Sequence, residues 1–234
     1  MSDNNNKSPV IFPVSALNLN LPEPSDLVDP KAATRIQKAV KTHVVYTPEG
    51  ELLINKNCLK TLLQTDQAGA NLVVANLPPE QKMENGNDHY VKSAPINQEL
   101  SRRIQEPRDA QQLQGLKYSE ACLNTARDNP ELEVRRLVLE SRNEKTMPAV
   151  KKVVKQEATG CLSGQPLQPN AEVHHKERVA DQPRKSVDPN NMVAVNPEVH
   201  STIHNAQAHS PAALEELAKQ QGWPASSEGD PAKP

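Results

Sequence analysis

Five of the chain's seven histidines lie between positions 174 and 209: His174 and His175 are adjacent, His200 and His204 are four apart, and His209 follows. Imidazole is the side chain best suited both to bind a divalent metal and to move a proton near neutral pH. Two histidines four apart on a helix share one face, whereas two neighbours on a strand must point to opposite faces. The doublet therefore separates two roles. One of its imidazoles can join the helical pair on a cation, and the other faces a different partner. Three imidazoles on one ion leave positions open for water and a phosphate oxygen. Phosphodiester hydrolysis is the chemistry this arrangement suits, with a metal neutralising charge on the phosphate and the leaving oxygen while the remaining histidine deprotonates water. Such a base must be neutral, so its far nitrogen needs a hydrogen-bond acceptor; Asn191 or a nearby backbone carbonyl could supply it.

The elements around these residues are legible in outline. Residues 171–175 (AEVHH) predict a strand and 192–195 (MVAV) its antiparallel return, with the polar stretch 176–191 projecting as a surface loop. Asn196, Pro197 and Glu198 predict a helix start, with the Asn as cap, the Pro in the first position and the acid at the positive end of the dipole. That helix carries His200 and His204, and a hairpin packed on it brings His174 towards the pair. A second helix over 211–221 should pack through Leu214 and Leu217, with Trp223 as an anchor behind it. His209 reads as an ordinary surface histidine, and His43 and His89 as isolated ones.

Elsewhere the chain is less specific. Of 234 residues, 35% are hydrophobic and only 2% aromatic, and there are 21 prolines, which predicts small cores and long loops. Residues 1–29 read as a disordered leader, 30–77 as a small α+β unit, 78–95 as a linker, 96–157 as a helical region, 158–223 as the histidine module and 224–234 as a disordered tail. Within these, helical spacing covers 30–42, a hairpin joins 44–46 to 52–54, a short helix spans 58–63, and Ala70 to Val74 suggests a strand. Helical pattern returns over 130–142 and 150–156, and seven basic residues fall between Arg135 and Lys155, either a solvated face or a surface for a DNA backbone. No internal repeat is present.

The run Glu172-Val-His-His-Lys176, then Asp188-Pro-Asn-Asn-Met-Val-Ala-Val-Asn-Pro-Glu-Val-His200 and His204, resembles the HNH or ββα-metal endonucleases, and within them the DNase domains of colicins and pyocins. The resemblance covers about 45 residues. It implies a C-terminal ββα-metal module; together with the elements read above, the expected fold is α+β, with that module preceded by a mostly helical, loop-rich N-terminal region that holds a small hairpin. It implies that His174, His200 and His204 ligate one divalent metal ion (Zn, Ni, Mg or Mn), that His175 is the general base, that Asn191 orients this base or locks the loop, and that Glu172 assists. Gln168 stands in the region where the colicin enzymes place an arginine partner for that acid. Cys161-Leu-Ser-Gly164 is similar to the start of a cysteine knuckle, but its companion cysteines are missing, so no second, structural zinc is expected.

The function expected is a metal-dependent endonuclease acting on DNA, with RNA left open, as an antibacterial toxin or effector or as a phage or defence nuclease; a toxin would need an immunity protein. The alternative is a non-catalytic zinc- or nucleic-acid-binding module, or an adaptor. Three widely spaced cysteines suit neither a disulfide framework nor a cysteine-ligated zinc. No stretch reads as a signal peptide or a membrane span, so the expected location is cytoplasmic, or a target cell reached without a standard signal. The net charge of −2 excludes a strongly basic field over the whole protein.

Overall fold

The computed structural model describes residues 9–224, and the chain forms two compact units, 1–138 and 139–234. The class is α+β with small antiparallel sheets.

In the first unit Asp29 caps α1 (Pro30–His43), its carboxylate accepting the Ala32 N–H at 2.7 Å, and Pro30 occupies the first turn. The strands β1 (Phe12–Pro13), β2 (Val44–Tyr46), β3 (Leu52–Asn55), β4 (Lys82–Asn85) and β5 (Asp88–Lys92) form one antiparallel sheet in the order β1-β2-β3-β5-β4. Strand alternation sorts the side chains. Val44, Tyr46, Leu52, Ile54 and Val91 join the main core, while Val45, Leu53 and Tyr90 form a smaller cluster on the other face. The main core is closed by α1, α2 (Leu59–Leu62), α4 (Ser93–Gln105), α5 (Ala110–Arg127) and the start of α6 (Pro130–Glu157). Gly50, in the turn between β2 and β3, has a φ of 80°, and a Cβ there would lie 2.5 Å from the Leu132 carbonyl oxygen, so both turn and packing require glycine.

Several expectations change here. The core is larger than the low aromatic content suggests because aliphatic residues build it: Ile36, Ile54, Leu59, Leu62, Ile96, Leu100, Leu116 and Leu123 are all fully buried, each contributing about 1.5–3 kcal/mol. The leader reading fails from residue 9 onward, since Val14 and Leu17 are buried in that core and Phe12 pairs with Tyr46; residues 1–8 lie outside the described residues, as do 225–234 of the expected tail. Residues 78–95, expected as a linker, contain a hairpin, β4–β5, turned by Gly86 in the left-handed region and anchored by buried Tyr90 and Val91. The N-terminal region is therefore organised by a five-stranded sheet rather than by loops and one small hairpin. Ala70 to Val74 belongs to a helix, α3 (Gln67–Asn76), because Asp66 caps it through the Gly69 N–H and Leu72 stays exposed. The two expected helical stretches after residue 130 are one continuous helix, α6, with Pro148 inside it.

In the second unit β6 (Glu172–His175) pairs antiparallel with β7 (Met192–Val195), His174 facing Val193 and His175 facing Met192. The helix α7 (Pro197–Asn205) follows directly, so the order is strand, strand, helix. Its core joins Cys161, Val195, Val199 and Ile203 to Leu214 and Leu217 of α8 (Pro211–Gln221), with Trp223 packed against them as expected. Asn196 does not cap α7 with its side chain. Its Oδ1 accepts the Gln168 N–H at 2.9 Å and its Nδ2 donates to the Pro166 carbonyl, tying the incoming segment to the helix start. Cys161 is buried, and its sulfur accepts the Asn196 N–H.

Candidate metal centre

Strand alternation puts Glu172 and His174 on one face of β6 and Val173 and His175 on the other. On α7, His200 and His204 are one turn apart. Among the described residues, His174, His200 and His204 form the one group of His, Cys, Asp or Glu able to hold a metal: one ligand atom from each lies within 4.8 Å of the others. His174 is buried, His200 half-buried and His204 exposed, so the site opens to solvent on one side.

The hydrogen bonds show which nitrogen of each ring could face a cation. His200 Nδ1 is held by the Glu172 carboxylate, which turns its Nε2 towards His204. His204 Nε2 stands 3.1 Å from His200 Nε2, close to the roughly 3.4 Å that two nitrogens keep when each is about 2.1 Å from a tetrahedral ion. His174 Nε2 is buried with no hydrogen-bond partner. A buried polar atom left unpaired costs about 1–3 kcal/mol, and an orphaned imidazole nitrogen beside two others fits a site that could hold a cation. The donor set fits a borderline ion such as zinc or nickel.

The electrostatics favour neutral rings. Burial, and then the neighbouring His200, His204 and His209, push the His174 pKa down from 6.5 to about 4. The His204 pKa is also lowered, by burial and by His200 and His209. Both lone pairs are thereby available to a cation near neutral pH.

Glu172, expected to assist catalysis, bonds to a proposed ligand instead and fixes the orientation of the His200 ring, the arrangement in which an outer carboxylate tunes a metal-bound imidazole. Glu172→Gln is expected to weaken zinc binding by about 10–100-fold, the scale of losing such a partner, with the fold unchanged because the side chain is half exposed. Calorimetric titration with Zn2+ checks this; unchanged affinity would remove Glu172 from the site.

His175 has the partner its chemistry asks for. Its Nε2 lies 2.9 Å from the Ser186 carbonyl oxygen; since a carbonyl only accepts, Nε2 carries the proton and Nδ1 keeps its lone pair. Ser186 is buried and its hydroxyl oxygen accepts from Asn143 of α6. Asn191 locks the loop, one of its two expected roles. Its Oδ1 accepts the Glu177 N–H at 2.8 Å, and its Nδ2 donates to the carbonyls of Glu177 and Lys185 at 3.0 and 3.2 Å. The loop's two ends are thus stitched together, which holds Ser186 where His175 needs it. Asn191→Ala deletes three hydrogen bonds of a buried side chain and is expected to cost about 2–3 kcal/mol of stability. Chemical denaturation measures it, and a loss below about 0.5 kcal/mol would show that the stitch is dispensable.

Sequence reasoning misplaced one histidine. His209 lines the same cavity: its ring centre is 5.5 Å from that of His204 and 6.4 Å from that of His174, and its Nδ1 is buried without a partner. A continued helix would carry position 209 away from this face. The chain instead reverses at Gln207, whose φ is 52°, and that turn brings the ring back. No local pattern announces such a turn at a glutamine. The cavity, about 480 Å³, is also lined by Lys151 of α6 and by Arg178 of the loop.

No protein family, curated protein or solved structure matches this chain. Among the described residues no helix is long and apolar enough to cross a membrane.

Proposed function

We propose that the chain is a metal-dependent endonuclease of the HNH type that hydrolyses phosphodiester bonds of DNA. One observation carries the reading: three imidazoles converge, one of them with an orphaned buried nitrogen, beside a fourth whose tautomer is fixed as a base. His174, His200 and His204 would hold the cation, which when bound would supply a Lewis acid toward the phosphate and the leaving oxygen. His175 Nδ1 takes a proton from water as the water oxygen bonds to phosphorus. The bond from phosphorus to the leaving sugar oxygen breaks, and solvent protonates that oxygen. Ser186 steadies the imidazolium that results, because its carbonyl already accepts the opposite N–H. Glu172 and Asn191 position the ligand and the base without touching substrate.

The test is plasmid nicking by the full chain in Mg2+, Mn2+, Zn2+ and Ni2+, with chelator as control. Conversion of supercoiled to open-circular DNA with at least one ion, abolished by chelator, supports the reading. Intact plasmid in all four, with the metal shown to be bound, overturns it.

A second reading, a structural metal, draws on His209. A fourth imidazole would close the position a reaction needs open. His209→Ala separates the two, since it abolishes tight metal binding only if that ring is a ligand.

A further inference from the structure

The cavity over the histidines contains no carboxylate among its lining residues, but it contains two cations, Lys151 and Arg178. Glu172, the nearest acid in sequence, is engaged with His200. Arg178 is exposed and has Asp181 at 3.6 Å. Lys151 differs: it is half-buried, and its side chain makes no hydrogen bond or ion pair among the described residues. One turn further along α6, Lys155 donates to the Ala171 carbonyl at 3.2 Å, so this face of the helix is pinned against the hairpin that carries His174. The stem of Lys151 accounts for its burial while its ammonium reaches solvent at the cavity wall without a counter-charge, and a dication bound among the histidines would repel it. An anion entering the cavity would meet both positive charges and offset that repulsion.

We propose that Lys151 is the phosphate-seating residue of this site, donating to a non-bridging oxygen of the phosphodiester that lies against the histidines. The inference rests on the nuclease reading for the identity of the anion, but not for the existence of an anion site. Lysine suits the task because its ammonium is a compact charge with three donors that needs no fixed plane. Arg178, on the exposed loop, contributes charge to the same wall.

The test compares Lys151→Gln with wild type and with Lys219→Gln, a remote lysine paired with Glu215 on α8. Binding of a 12-base-pair DNA duplex is measured in chelator, where no turnover competes, across a salt series. Lys151→Gln is expected to weaken the duplex about tenfold, the scale of one hydrogen bond to a charged group, and to reduce the salt slope by about one. Its Zn2+ affinity should be equal or tighter, because a neighbouring positive charge has been removed; a merely structural role would weaken it. Lys219→Gln should match wild type. Duplex binding and salt slope unchanged in Lys151→Gln, or Zn2+ binding weakened, overturns the proposal. If wild type binds no duplex, inorganic phosphate is titrated into the Zn2+-loaded protein. Phosphate binding that Lys151→Gln abolishes then supports the anion site while the DNA reading falls, and phosphate binding that survives the substitution overturns both.

Discussion

His175→Ala is expected to reduce plasmid nicking by about 10²–10⁴-fold, the contribution of a positioned general base, while zinc binding stays as in wild type. The separation follows from geometry. The three converging nitrogens belong to His174, His200 and His204, and His175 points from the opposite face of β6 with its own partner, the Ser186 carbonyl. Truncation removes the proposed proton acceptor and leaves the three converging imidazoles in place. Added free imidazole should restore part of the rate, because the vacated space lies at the edge of an open cavity. Nicking at the wild-type rate would show that His175 takes no proton in the reaction.

His174→Ala carries the second large effect, on metal and stability together. In wild type, metal at about a hundred times its dissociation constant should stabilise the fold by about 2.7 kcal/mol, a rise in melting temperature of roughly 10 °C or more for a unit this small. The variant should lose that rise and all nicking. The pH dependence adds a check independent of activity. In the metal-free protein His174 resists protonation until about pH 4, whereas in the unfolded chain it takes a proton near 6.5. The unfolded state therefore binds more protons over that interval, and stability falls as pH drops from 6.5 toward 4, then levels. His174→Ala removes this slope. Equal slopes in the two proteins would mean that the ring is not held neutral by its surroundings.

Much of the site was legible because its periodicities are short. A doublet on a strand and a pair four apart on a helix fix which rings share a face, and those faces are where the structure places them. Asn191 as a loop lock was one of two stated alternatives. What could not be read depends on contacts between distant segments. Ser186 serves His175 through its backbone carbonyl, which has no residue signature. Lys151 reaches the cavity because α6 lies against the hairpin, and His209 because Gln207 reverses the chain. The first unit was harder for a similar reason. Val14 and Leu17 join a core supplied by residues far along the chain, and the β4–β5 hairpin lies in a stretch whose Pro, Asn and Gly content outweighs its two buried strand residues, Tyr90 and Val91. Asp66 turned a strand-like run into a helix by capping it.

The stitch that Asn191 makes across the feet of its loop has a practical corollary. Because the bonds to Glu177 and Lys185 close the base, the exposed stretch at Ala180, Asp181 and Gln182 is insulated from the hairpin's register. A peptide tag or fluorophore grafted there would report on the protein's surroundings from within a few residues of Arg178, while the strands beneath keep their pairing.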